Sequence, residues 1–176
     1  VYSGEVMLYN LTKHGNRKVI FILGKGRLLN QSIVSKKPNA LFCEAVCPVK
    51  VIEIAEEQFL QLMEQSHALT RAVLREYERN LWRMGHQLKN TTGNMQMERK
   101  IAAKLWKLGR DFGVDTEDGV MIDIDLTITL MADLVGAPRE NVSRACKVLT
   151  DRGLIRYGNK RFILTDSDGL AEFYKM

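Results

Sequence analysis

The chain has 176 residues, 45% of them apolar, and a formal charge of +5 at neutral pH. That composition excludes a disordered tail, and no apolar run approaches the roughly 20 residues that a bilayer-spanning helix needs. Three cysteines without a CxxC pair make no disulfide framework, and no secretion signal is visible, which together fit a reducing cytoplasm.

The chain opens at Val1 on a run that already reads as a strand, so an N-terminal part is expected to be missing. Residues 1–57 have the grammar of antiparallel β-structure. Short runs at Glu5–Tyr9, Lys18–Leu23, Leu41–Val46 and Val49–Ile54 are rich in β-branched and aromatic residues. Turn clusters at 13–16, 24–26 and 36–39 separate them, which predicts a sandwich or jelly roll. Cys43 and Cys47 fall in or between the last two strands and read as small core residues, with a redox switch as the rival reading. Gly24-x-Gly26 reads as a β-turn.

From Glu56 the period changes. Phe59, Leu60 and Met63 predict a short helix, and a long helix follows over about 68–90. Within it Leu74, Tyr77, Leu81, Met84 and Leu88 recur at spacings of three and four, an a/d seam about 21 Å long at 1.5 Å per residue. Arg75, Glu76, Glu78, Arg79 and Arg83 are expected to be solvated on the other side. Two readings are open: a helix packed on its own β-domain, or self-association through a coiled coil. The narrowness of the stripe favours the second.

Thr91-Thr92-Gly93-Asn94 reads as a hinge, with Asn94 as N-cap of a helix over 95–109 whose apolar face is Met97, Ile101, Ala102, Leu105 and Leu108. An acidic loop and a short strand at Val120–Ile124 come next. The C-terminal third is expected to be a separate domain of helix, strand, two helices and hairpin.

Residues 128–147 fit a helix-turn-helix. Met131 and Val135 are apolar on the inner face of the first helix, and Ala132 is small where the helices cross. Gly136 sits where the tight turn needs φ > 0, and Pro138 starts the second helix. With Val142, Ala145, Cys146 and Leu149 turned inward, Arg139, Glu140, Ser143, Arg144 and Lys147 point outward. Arginine suits bidentate contact with guanine O6 and N7, and glutamate accepts from cytosine N4. A charged face without function is the bland alternative, but it does not account for this combination. Downstream, the runs at 154–157 and 161–164 flank Gly158-Asn159-Lys160, a hairpin signal that makes a basic wing able to grip phosphates.

Over essentially its whole length the sequence resembles the CRP/FNR family, most specifically in Val135–Arg144 and Leu149–Ile155. The resemblance implies an α+β chain: an N-terminal β-roll (jelly roll) effector domain over 1–65, a long dimerisation helix over 66–92, and a C-terminal winged helix-turn-helix domain over 93–176. It implies base reading by Arg139, Glu140, Ser143 and Arg144, whose pattern unites those of two branches reading TGTGA-type and TTGAT-type half-sites. Thr127 and Thr129 look like the family's phosphate contacts, with Lys147 and Lys160 added from their charge. Expected partners are double-stranded DNA, a second copy of the chain, RNA polymerase and a small-molecule effector, with no membrane. A ligand- or partner-binding sensor with vestigial DNA binding is the alternative.

The effector pocket departs from the cAMP-binding branch. Where that branch has Gly-Glu-Leu and Arg-Ser, this chain reads Asn30-Gln31-Ser32 and Asn39-Ala40, so the phosphate-holding guanidinium and the ribose-holding carboxylate are missing. That argues against a cyclic nucleotide. The N-terminal cysteines of the iron–sulfur branch are also missing, so no cluster is supported, and His14, His67 and His86 are too dispersed for a metal site. Similarity to a third branch, which senses halogenated aromatics, implies Tyr77, Trp82 and Met84 as effector contacts. No nucleophile with a histidine partner, paired carboxylates or phosphate loop suggests an enzyme.

Overall fold

In the first fifty residues three strands form one sheet, two of them with buried apolar side chains. β1 (Val6–Leu11) lies between β2 (Arg17–Leu23) and β3 (Phe42–Ala45). β1 and β3 run antiparallel with Val6 opposite Ala45 and Tyr9 opposite Phe42, whose rings stack at 5.5 Å. Leu8, Phe21 and Leu23 form a buried cluster under Ile20, Leu29 and Leu41. The computed structural model describes residues 1–29, 32–35, 37–92 and 95–175, the side chains of 89–92 excepted. It divides into two compact units, one of residues 1–10 and 20–93, the other of 11–19 and 94–176.

Two expectations for the first unit fail. Val49–Ile54 is not a strand: one isolated bridge joins Ser3 to Lys50, and Val51, Ile52 and Ile54 are exposed. A β-branched run becomes a strand only where another strand pairs with it, and none does so among the described residues. Nor is Cys43 a core residue, because every position of β3 is exposed. Cys47 is half-buried and donates its thiol proton to Glu5 Oε2 at 2.9 Å.

α1 (Glu56–Gln65) and α2 (His67–Thr92) meet at Ser66, whose Oγ accepts from the backbone N–H of Leu69 at 3.3 Å. α2 turns its polar side, not its apolar seam, toward the sheet. Glu76 pairs with Arg27 at 2.9 Å, the Arg83 guanidinium lies over the Phe21 ring, and Gln87 Nε2 donates to Ile20 O at 2.8 Å. Glu76 and Arg83 are therefore engaged rather than solvated, because each finds a partner of opposite charge or an aromatic face. The hinge expected at 91–94 and the capping role of Asn94 fall on residues or side chains outside those described.

In the second unit α3 (Met97–Phe112) follows Gln96, which occupies the N-cap without a side-chain hydrogen bond. Buried Ile101, Ala102, Leu105 and Leu108 recur at helical spacing and make one apolar face. The acidic stretch expected as a loop contains a strand, β4 (Gly113–Thr116), antiparallel to β5 (Gly119–Ile122). Its side chains are all exposed, so backbone pairing and the hydrogen bond from Thr116 Oγ1 to Gly119 O at 2.7 Å hold it. The helix pair α4 (Ile128–Val135) and α5 (Arg139–Asp151) precedes the hairpin β6 (Ile155–Gly158) and β7 (Arg161–Leu164). The sheet order is β4-β5-β7-β6.

A last helix, α6 (Ser167–Lys175), lies beyond the expected domain plan. Asp166 Oδ1 accepts from Gly169 N at 2.8 Å in its first turn, and Leu170 and Ala171 anchor it inside. No described helix is long and apolar enough to cross a membrane.

Candidate nucleic-acid interface

α4 starts at Thr127, whose Oγ1 accepts from the backbone N–H of Leu130 at 3.0 Å, the hydrogen bond of an N-cap. Met131, Ala132 and Leu134 then face inward. Gly136 ends the helix at φ 74° and ψ 50°, donating its N–H to Ala132 O at 2.7 Å. A side chain at that φ would crowd the following carbonyl, so the sharp turn between the two helices requires glycine. Pro138 sits at the N-cap of α5, one place before the helix, with its φ of −57° set by the ring.

α5 has two distinct faces. Val142, Ala145, Cys146 and Leu149 are at most 5% exposed. Arg139, Glu140, Asn141, Ser143, Arg144 and Lys147 are all exposed. The four expected base-reading residues thus share the outer surface of the first two turns, with Lys147 beyond them. Burial holds the Cys146 thiol neutral, pushing it up to about 11.

Arg144 is not free to wander. Its Nη2 donates to Asn141 Oδ1 at 2.8 Å and its Nε to the Glu140 carbonyl at 3.4 Å. Asn141 is a site residue that the reading of the sequence missed. Only its i, i+3 spacing from Arg144 hinted at the pair.

The hairpin turn places Asn159 at φ 50° and Lys160 at φ 58°, the pair of left-handed residues that defines a type I′ connection. Lys160 is exposed with no ion pair among the described residues. Two other cations of the hairpin are spoken for: Arg161 pairs with Asp123 and, at 3.3 Å, with Asp125, while Arg156 pairs with Asp118. The acids of the 111–125 stretch therefore neutralise the wing's arginines and leave its lysine. Thr127 is half-buried and Thr129 exposed, both in the first turn of α4 or its cap.

The seam residues of α2 lie open: Leu74, Leu81, Met84 and Leu88 are 46–68% exposed, whereas Tyr77 is half-buried. Of the expected effector contacts, Trp82 is also exposed and stacks on His86 with ring centroids 3.7 Å apart. The structure thus separates Tyr77, partly covered, from Trp82 and Met84, which share the open side. On the covered side, Glu76 Oε1 and Asn80 Oδ1 are buried acceptors with no hydrogen-bond partner among the described residues. Their signal in the sequence, two polar residues at i, i+4, was indistinguishable from an ordinary solvated face.

Of the positions matching the cAMP pocket, Asn30 and Gln31 lie outside the described residues. The arginine nearest in sequence, Arg27, is committed to Glu76. No group of three metal-ligating side chains occurs among the described residues.

Residues 99–173 match the family model of the Crp-like helix-turn-helix domain, and residues 1–66 that of the cyclic nucleotide-binding domain. The chain belongs to the CRP/FNR family. It is a transcription regulator with a helix-turn-helix DNA-binding domain. It is 24% identical over 172 residues to the CRP-like cAMP-activated global transcriptional regulator of Mycobacterium tuberculosis, covering 97% of this chain and 76% of that one. Against the global nitrogen regulator of Nostoc it is 24% identical over 162 residues, 90% of this chain and 72% of the other. Among solved structures, a CooA mutant from Carboxydothermus hydrogenoformans superposes with a TM-score of 0.79 at 19% identity, covering 99% and 77% of the two chains. A CRP/FNR-family regulator of Thermus thermophilus gives 0.75 at 20% identity, covering 100% and 86%. These likenesses carry the fold; the family's cyclic-nucleotide name does not carry a ligand over to the residues found here.

Proposed function

We propose that the protein is an effector-responsive cytoplasmic regulator that binds, as a homodimer, a palindrome with TGA-containing half-sites. The observation that carries this reading is the outer face of α5. Arg139, Glu140, Ser143 and Arg144 stand exposed over an inner face sealed by Val142 and Leu149. Arg144 would read guanine, Glu140 the cytosine or adenine edge, and Ser143 the outer thymine. Lys147, Lys160, Thr127 and Thr129 would meet phosphates, which fix register without reading sequence.

The exposed seam of α2 supports pairing with a second copy. Two-fold symmetry then sets half-sites about one helical turn, roughly 34 Å, apart. The buried acceptors Glu76 Oε1 and Asn80 Oδ1 support an effector that brings hydrogen-bond donors, and RNA polymerase is the partner through which binding would reach transcription.

Selection of bound duplexes from a random pool tests the reading. A TGA-containing palindrome is the expected product, and Arg144→Ala should weaken its binding by about 1–3 kcal/mol and relax selectivity at one base pair. Recovery of no sequence, or an Arg144→Ala variant that keeps full affinity and selectivity, would overturn it.

A further inference from the structure

We infer that Asn141 is a positioning residue that keeps the two charged base readers of α5 apart and fixes which edge of Arg144 meets DNA. The inference rests on the reading of α5 proposed above. Glu140 and Arg144 are four residues apart on one helix face. With the acid N-terminal to the base, this is the spacing at which a carboxylate and a cation attract each other most. An ion pair between them would join a hydrogen-bond acceptor meant for cytosine to a fork meant for guanine, and both would meet the duplex already occupied.

The structure has a different arrangement. Asn141 Oδ1 accepts a hydrogen bond from Nη2 at 2.8 Å, and Nε donates to the Glu140 main-chain carbonyl at 3.4 Å, leaving the Glu140 carboxylate out of the contact. Nε–H and one Nη2–H form one edge of the guanidinium, so the protein occupies that edge. The terminal edge, formed by Nη1 and the second Nη2 hydrogen, is left facing outward with the spacing that matches O6 and N7 of guanine.

A second consequence concerns entropy. Arginine loses much rotamer freedom when it binds, and a side chain already held by its neighbour loses less. An amide suits the task better than a carboxylate. It accepts the guanidinium proton yet adds no negative charge beside the phosphates.

The test is a double-mutant cycle on the full chain, titrated by anisotropy against TGTGA and TTGAT palindromes and a scrambled duplex. Asn141→Ala should weaken the preferred palindrome about threefold to tenfold, the range expected when one rotamer-rich side chain loses its preorganisation. Binding to the scrambled duplex and the melting temperature should stay unchanged. In the Arg144→Ala background the same substitution should cost nothing further. Asn141→Asp should hold Arg144 yet bind both duplexes more weakly, through its charge. An equal loss in the Arg144→Ala background would mean that Asn141 touches DNA itself, and no loss at all would mean that the contact positions nothing; either overturns the inference. If the parent protein prefers neither palindrome, the reading of α5 has failed and the inference falls with it. A parent that is selective beside an unaffected Asn141→Ala variant isolates failure of the inference alone.

Discussion

The two units dispose of their apolar side chains in opposite ways. In the C-terminal unit the apolar faces of α3, α4, α5 and α6 close on one another, and Ile101, Leu105, Met131, Val142, Leu149 and Leu170 are fully buried. In the N-terminal unit α2 offers its polar side to the sheet and leaves Leu74, Leu81, Trp82 and Leu88 55–68% exposed. A row of large apolar residues left in water is costly unless something covers it. The C-terminal unit is complete as one chain, whereas the proposed dimer would complete the N-terminal one.

The largest effect should come from breaking that contrast at the seam. Leu81→Arg with Leu88→Arg places four guanidiniums at a two-fold axis and should give a folded monomer in sedimentation. Affinity for a palindrome should then fall by about 10²–10⁴, because the second half-site no longer binds within a linked pair. Unchanged helix content would show that each chain still folds. A variant that sediments as a dimer would remove the seam from the argument.

A smaller effect distinguishes the units through their thiols. Cys146 lies buried among α5's inner residues and its thiol is pushed up to about 11 from 9.0 by burial. Its folded value exceeds its unfolded one, so its contribution is complete below pH 9 and is lost as pH rises toward 11. Unfolding in urea at pH 8 and 10.5 should show a loss of about 2 kcal/mol that Cys146→Ala does not share. Cys43 is also raised by burial, yet it sits on an exposed strand and should alkylate long before Cys146. Equal labelling rates at the two sites would contradict the closed core of the C-terminal unit.

The same contrast explains what the sequence disclosed. α5 was readable because its inner residues are spaced for one face and Gly136 and Pro138 mark its beginning. β4 was not, because Val114, Asp115 and Thr116 are exposed and no alternation of buried and exposed side chains marks the strand. The run at Val49–Ile54 misled for the converse reason: its β-branched residues promise a ladder, and only the isolated bridge of Lys50 to Ser3 forms among the described residues. α6 is nine residues long with Gly169 near its start, a weak pattern that tertiary packing rescues. Trp106 and Arg152 do so by packing on Tyr174 and Phe173. The Arg144–Asn141 contact is one of several possible i, i+3 pairs on the same helix, and only the folded structure selects it.

The smallest effect concerns Thr127, which has two claims on one hydroxyl. As N-cap it accepts from Leu130 N, and its own proton remains available to a phosphate oxygen. Thr127→Ala should lose both, costing about 1 kcal/mol of stability and a uniform part of DNA affinity. Thr127→Asp separates them. A carboxylate still caps α4 and is favoured by the helix dipole, so stability should hold or rise by a few tenths of a kcal/mol. Beside a phosphate the same charge repels, so affinity for every duplex should drop, most strongly at low salt. Opposite signs in melting and in titration would therefore place residue 127 against the backbone of DNA. Unchanged affinity of the Thr127→Asp variant would confine it to capping and leave phosphate contact to Thr129, Lys147 and Lys160.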